Sequence, residues 1–195
     1  MTRPPVTRVV VAEDEAIIRL DLVETLQEEG YEVVGETGRG DQAVALIREL
    51  RPDIALLDIK MPGADGLEVA RQVSKERLCA VLILTAFSQR EVIEQARDAG
   101  ALAYLVKPFQ KTDLVPAIEL AIGRFREMQA LAGEVEDLEE RLETRKVIDR
   151  AKGRLMDQHA LTEADAFSFI QKRAMADRVT MRSVADQVLD GSLAP

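Results

Sequence analysis

Short apolar runs alternate with amphipathic segments along the N-terminal half of the chain. Arg8–Ala12 (RVVVA) is β-branched and continuous, the pattern of a strand buried on both faces. Ala16–Glu29 has helical spacing, with Ile17, Leu20, Leu22 and Leu26 as its apolar positions. Tyr31–Gly35 reads as a second strand and Gln42–Leu50 as a second helix. Ile54–Leu57 is a third strand running into Asp58, Gly66–Lys75 a helix, Ala80–Leu84 a strand, Arg90–Asp98 a helix and Leu102–Val106 a fifth strand. Strands and helices that alternate through short loops predict an α/β fold, a doubly wound five-stranded parallel sheet with helices on both faces. Functional groups of such a sheet gather at the C-terminal ends of its strands.

The period changes after Lys111. A helix is expected from Thr112, which would be its N-cap, with Pro116 in the first turn. Met128, Leu131, Val135, Leu138 and Leu142 then recur at alternating spacings of three and four. Charges (Glu134, Glu136, Asp137, Glu139, Glu140, Arg141) fill most of the places between them. This is an a/d seam over about two heptads. It fits a coiled coil or a single solvated helix, and leans to pairing; Gly133 within it weakens a rigid seam. From Thr144 the pattern stays helical. Ala151, Leu155 and Met156 form one stripe, and Gln158–Leu161 breaks it. Thr162 with Asp165 three residues on marks a new helix start. Ala166, Phe167, Phe169, Ile170 and Ala174 form the next stripe, Asp177–Thr180 ends it, and Ser183, Val184 and Val188 belong to a last helix. Three short helices bury little alone, so they need the long helix or a partner.

Composition narrows the function. With 195 residues, 47% of them hydrophobic, the chain can form one large domain or two small ones with packed cores. Only 4% are aromatic, so aliphatic side chains must do most of the packing. A net charge of -9 argues against a general polyanion binder. The charge is uneven, however. Arg145–Arg182 holds nine basic and five acidic residues, so that stretch is +4 and the remainder -13. The lone cysteine, Cys79, fits a reducing compartment. Met1–Arg8 has no apolar core of a secretory signal, and the apolar run near Cys79–Leu84 is too short for a bilayer. The expectation is a cytoplasmic protein without a membrane partner.

The predicted strand ends carry the chemistry. The first ends in Glu13-Asp14, the third in Asp58, the fourth in Thr85 and the fifth in Lys107-Pro108. A parallel sheet brings these groups to one edge. Clustered carboxylates repel unless a cation joins them, and hard oxygen ligands suit Mg²⁺. A carboxylate beside a metal can attack a phosphoryl group in line, with an ammonium and a hydroxyl steadying its oxygens. Singly, each residue has a plainer reading: Asp14 an N-cap, Lys107 a loop charge, Thr85 a strand-end hydroxyl, Tyr104 a core residue.

Together, Glu13-Asp14, Asp58 through Gly63 with Asp65-Gly66, Thr85-Ala86 and Lys107-Pro108-Phe109 resemble the receiver domain of two-component response regulators. The resemblance covers roughly residues 7–125 and implies a flavodoxin-like fold. It implies Asp58 as phosphoacceptor. Asp14, Asp58 and the Lys60 carbonyl would be Mg²⁺ ligands, with Glu13 behind them. Thr85 and Tyr104 would be the pair that repositions on phosphorylation, and Lys107 the phosphate-binding lysine. Two other patterns compete. Gly38-Arg39-Gly40 with Ala43 is similar to a dinucleotide fingerprint, but it follows the second strand rather than the first, and Glu13 and Asp14 would repel a pyrophosphate. An aspartyl phosphatase would want a second Asp two residues after the first, where Lys60 stands. An independent enzyme is therefore not expected.

Ile148 to Met156, Thr162 to Phe167, Ile170 to Met175 and Val184-Ala185 resemble the ANTAR output domain, a small three-helix RNA-binding module. The organisation expected is a receiver over 7–125, a coiled-coil linker helix over 126–143 and the ANTAR domain over 144–190. The order is similar to antitermination response regulators of the actinobacterial type. It implies a sensor histidine kinase as phosphodonor, a phosphorylation-dependent homodimer, and binding to paired RNA hairpin loops in competition with terminators. Lys152, Gly153 and Arg154 would lie near the RNA, supported by Lys172 and Arg173. Phe167 could stack a base, but its stripe places it in the core. The rival readings are a DNA-binding regulator, which would use its last helices as a helix-turn-helix, and a phosphorelay or scaffold receiver that binds no nucleic acid.

Overall fold

The structure, a computed structural model, describes residues 6–86 and 89–194, the side chains at 136, 137 and 139 apart. The N-terminal reading at Met1–Pro5 and the seam charges Glu136, Asp137 and Glu139 therefore lie outside the described residues. The elements are β1 (Arg8–Ala12), α1 (Ala16–Glu28), β2 (Glu32–Thr37), α2 (Gly40–Leu50), β3 (Ile54–Asp58), α3 (Gly66–Lys75), β4 (Ala80–Thr85), α4 (Arg90–Asp98), β5 (Ala103–Val106), α5 (Lys111–His159), α6 (Glu163–Asp177) and α7 (Met181–Asp190). The chain forms two compact units, Met1–Gln129 and Ala130–Pro195, and α5 contributes to both.

In the first unit five parallel strands lie in the order β2-β1-β3-β4-β5. The order reverses between β1 and β3, which opens a crevice at the carboxyl ends of those two strands. Alternate residues of the inner strands serve two cores. Val10, Ala12, Ala55, Leu57, Val81 and Ile83 face one core, shared with Val44 and Ile47 of α2, Val69 and Val73 of α3, and Ala96 of α4. Val9, Val11, Ile54, Leu56, Leu82 and Leu84 face the other, shared with Leu22 and Leu26 of α1 and Leu114 and Ile118 of α5. Burial on both faces explains the continuous apolar runs.

Some sequence expectations shift. On α1, Ile17 and Leu20 are 85% and 58% exposed, and only Leu22 and Leu26 are buried. At about 3.6 residues per turn, Ile17 and Leu20 lie on the side of the helix away from Leu22 and Leu26, so the four do not form one stripe. Helix α5 starts at Lys111, so Thr112 sits inside its first turn rather than capping it, and Pro116 falls in the second turn. The Gln110 carbonyl instead accepts from the amides of Asp113 and Leu114 at 2.9 and 3.1 Å.

Among the described residues the second unit has a core of eight buried ones: Ala151 and Leu155 of α5, Ala166, Ile170 and Ala174 of α6, and Val184, Ala185 and Val188 of α7. Its first helix is not separate, because α5 continues for 49 residues without a break at Thr144. Thr162 caps α6 by accepting from the Asp165 amide at 3.2 Å, and Thr180 caps α7 by accepting from Ser183 at 3.2 Å. Each cap satisfies an amide that the helix leaves open. A core this small depends on each large side chain. Ile170→Ala is expected to destabilise the second unit by about 2–5 kcal/mol. In guanidinium titrations of the full chain followed by circular dichroism, part of the helical signal should be lost at lower denaturant; a curve superimposing on wild type would contradict this.

Candidate functional site

The crevice at the strand ends gathers charge from three strands. Glu13 follows β1, and its amide donates to the Thr37 carbonyl at 3.0 Å, which prolongs the β1–β2 pairing by one residue. Its side chain is fully buried, while Asp14 beside it is exposed. Asp58, the last residue of β3, is 7% exposed. Glu13, Asp14 and Asp58 can each offer an oxygen such that all three lie within 4.8 Å of one another.

Lys107 enters this cluster from beyond β5. Its backbone is fixed by donation to the Thr85 carbonyl at 2.7 Å. Its ammonium donates to Glu13 Oε2 at 2.5 Å and to Asp58 Oδ1 at 2.8 Å. The second oxygen of each carboxylate takes a backbone amide, Glu15 N–H on Glu13 Oε1 at 3.3 Å and Lys60 N–H on Asp58 Oδ2 at 3.1 Å. Both carboxylates are thus oriented on two sides. Burial raises the Glu13 carboxyl above its usual range, and Lys107 opposes that rise. Burial would lower the Lys107 ammonium, but its hydrogen bonds to Asp58 and Glu13 outweigh burial and raise it. With three carboxylates and one ammonium, the cluster keeps room for further positive charge, and its all-oxygen donor set suits a hard divalent cation.

Thr85, the last residue of β4, is 2% exposed beside this cluster. Tyr104 of β5 pairs with Ile83 of β4 and is 43% exposed, so it is not the core residue of the plainer reading. Gly66 allows the β3–α3 loop to close tightly. A Cβ there would come within 2.0 Å of the Asp58 carbonyl oxygen, so only glycine lets α3 start against the strand end.

The five C-terminal candidates divide. Lys152 and Arg154 turn to different neighbours. The Lys152 ammonium bridges Asp149 and Glu163 at 2.8 Å each, joining α5 to the start of α6. The Arg154 guanidinium donates to the Leu189 carbonyl and to Gln158 Oε1, so it caps the end of α7. Arg173 pairs with Asp177 at 2.8 Å, and Lys172 is exposed. A Cβ at Gly153 would meet nothing within 4 Å, as at Gly123 and Gly133 of the same helix, so packing does not require glycine there. Phe167 is the clear correction: it is 43% exposed, because the stripe of α6 turns only Ala166, Ile170 and Ala174 fully inward. It lines a cleft of about 510 Å³ with Arg141, Arg145, Ile148, Asp149 and Lys152 of α5. Arg145 and Asp149 carried no site role in the sequence; their three- and four-residue spacing with Arg141 and Lys152 was the available signal.

Lys107 holds two buried carboxylates together, so its loss leaves them uncompensated. Lys107→Met is expected to destabilise the first unit by about 2–4 kcal/mol in the presence of chelator. Denaturant unfolding of the full chain checks this, and an unchanged midpoint would show that the ammonium is not what balances the cluster.

Comparison with known proteins follows the same division of the chain. Residues 9–119 match the response regulator receiver domain and residues 136–189 the ANTAR domain. The transcriptional regulatory protein PdtaR of Mycobacterium tuberculosis is 57% identical over 183 residues, 94% of this chain and 89% of its own. The chemotaxis protein CheY of Thermotoga maritima is 35% identical over 57% of this chain and 93% of its own. The solved receiver domain of the response regulator NarL from Mycobacterium tuberculosis superposes with a TM-score of 0.59 at 35% identity, covering 62% of this chain and 98% of that one. Both matched families are regulatory rather than catalytic. Among the described residues no helix is long and apolar enough to cross a membrane. The chain belongs to the response regulator family, and it carries a receiver domain followed by an ANTAR domain.

Proposed function

We propose that this chain is a phosphorylation-controlled regulator that binds paired RNA hairpin loops and acts as a transcription antiterminator downstream of a sensor histidine kinase. The observation that carries the reading is the carboxylate cluster on Lys107 in a chain whose next domain is ANTAR. The name of the relative PdtaR, a transcriptional regulatory protein, supports a role in transcription.

Asp58 is the phosphoacceptor in this reading. One of its oxygens attacks the phosphorus of a phosphohistidine in line; the P–O bond forms as the P–N bond breaks, and the imidazole leaves with the electron pair. Asp14, Asp58 and the Lys60 carbonyl would hold Mg²⁺, with Glu13 behind them. When bound, the ion neutralises charge on the phosphoryl oxygens. Lys107 exchanges its hydrogen bond to Asp58 for one to a phosphoryl oxygen, and the Thr85 hydroxyl donates to another. Tyr104, exposed before phosphorylation, then repacks toward Thr85.

The output follows from pairing. Met128, Leu131, Val135, Leu138 and Leu142 are each more than half exposed on α5. A second copy of the chain would cover this seam and present two ANTAR domains to two loops. Linking the two binding events raises the effective concentration for the second. Lys152, Gly153, Arg154, Lys172 and Arg173 are the first candidates for contact with RNA, and the structural engagements of Lys152 and Arg154 make Lys172 the freest to meet phosphate.

Binding of a two-hairpin RNA should rise with acetyl phosphate and Mg²⁺ in wild type but not in Asp58→Asn. Equal binding in both would remove the gate, and tighter binding to duplex DNA would favour a DNA-binding regulator. Leu138→Glu should keep the phosphorylated chain monomeric in sedimentation and lower two-hairpin affinity by about 10-fold or more. A normal dimer of this variant would show that the seam is not the interface.

A further inference from the structure

The cleft of about 510 Å³ on the second unit has one aromatic wall and one charged wall. Phe167 forms the first and remains 43% exposed, although Ala166 and Ile170 on either side of it are buried. Burying an aromatic ring is favourable, so a half-exposed one beside a cleft offers its π-face to something outside the fold. Opposite stand Arg145, Asp149 and Lys152 of α5, with Arg141 one turn before them.

The charges restrict the occupant. Arg145 is 83% exposed, and its ion pair with Asp149 among the described residues is long, at 3.9 Å, which leaves its guanidinium largely hydrated. Glu140 and Asp149 share the lining with Arg141, Arg145 and Lys152, so the cleft carries both signs and suits an occupant that is neutral where it stacks and charged only at its rim. Asp149 takes the Lys152 ammonium on Oδ1 at 2.8 Å, and its Oδ2, 3.9 Å from Arg145, retains capacity to accept from a flat group that carries N–H donors on its edge. A neutral ring with a donor edge and a phosphate outside it meets all three conditions: stacking on Phe167, donation to Asp149, and a charge for Arg145. Unstacked bases of single-stranded RNA have this build, and base-on-aromatic stacking is the common way to hold them.

We propose that this cleft receives one unpaired RNA base, stacked on Phe167, with its donor edge on Asp149 and its phosphate at Arg145. This deepens the RNA-binding reading and rests on it. The site shares Lys152 with the basic residues favoured by sequence but centres on Phe167 and Asp149, which would select an unpaired base while the lysines and arginines contribute charge.

The test uses the full chain with acetyl phosphate and Mg²⁺. A pool of two-hairpin RNAs with randomised loops is enriched on wild-type protein. The enriched RNAs are then bound to Phe167→Ala, Phe167→Leu and Phe167→Tyr, with thermal unfolding measured alongside. Phe167→Ala and Phe167→Leu should weaken binding by about 10-fold or more, while Phe167→Tyr, which keeps the π-face, stays within about 2-fold of wild type. Unchanged melting in Phe167→Leu separates this loss from misfolding. Leucine binding as tightly as phenylalanine would overturn the stacking site while leaving RNA binding intact. Failure of wild type to enrich any RNA would instead sink the RNA reading itself, and the base site with it.

Discussion

One ammonium among three carboxylates is the constraint on which the first unit is built. Lys107 reaches Glu13 and Asp58 only if the ends of β1 and β3 lie side by side and β5 terminates near them. The parallel order β2-β1-β3-β4-β5 meets that condition, because the reversal between β1 and β3 opens the crevice where their last side chains emerge. Backbone amides of Glu15 and Lys60 then fix the carboxylate oxygens that the ammonium does not reach. Buried charge of this kind is tolerated because each member is held on two sides. The same arrangement makes the site responsive, since any new cation or anion must change the partner of Lys107.

The second unit is organised by a different economy of contacts. Its core is small and aliphatic, and polar side chains complete it from outside. Lys152 ties the start of α6 to α5, Arg154 closes the end of α7, and two threonines begin the short helices. Several basic residues of this +4 region therefore hold the fold together, and the number available to a polyanion is smaller than the sequence count suggests. An acidic chain with such a module gains little from general electrostatic attraction. Shape and stacking carry correspondingly more of any selectivity.

How far the sequence revealed this depended on the kind of signal. The three inner strands were legible because apolar runs such as RVVVA and the stretch before Asp58 are what burial on two faces demands, and the half-buried edge strands β2 and β5 by their place in the alternation of strands and helices. The convergence of Glu13, Asp14, Asp58 and Lys107 was legible because parallel strands align their ends. Periodicity said less about helices. Ile17 and Leu20 lie across α1 from Leu22 and Leu26, and Phe167 borders its stripe, so each stays exposed: an apolar position is buried only where a neighbouring element covers that side of the helix. The Lys152 bridge to Glu163 and the Arg154 cap were invisible because they join residues on different helices, eleven and 35 positions apart.

The two-faced burial of the sheet has a consequence for how the chain finds its alignment. Every side chain of β3 from Ile54 to Leu57 is fully buried, on whichever face it lies. A strand with one wet face signals its register by alternation, because a slip by one residue turns apolar groups to water. Here a slip would merely exchange one apolar group for another, so hydrophobicity is nearly silent about it. The polar letters that end the strands, Glu13, Asp58 and Thr85, are what a slipped pairing would drag into the interior or strand outside. The residues that serve chemistry thus also act as punctuation for assembly, and an apolar replacement at Asp58 would blur the grammar of the sheet as well as silence its site.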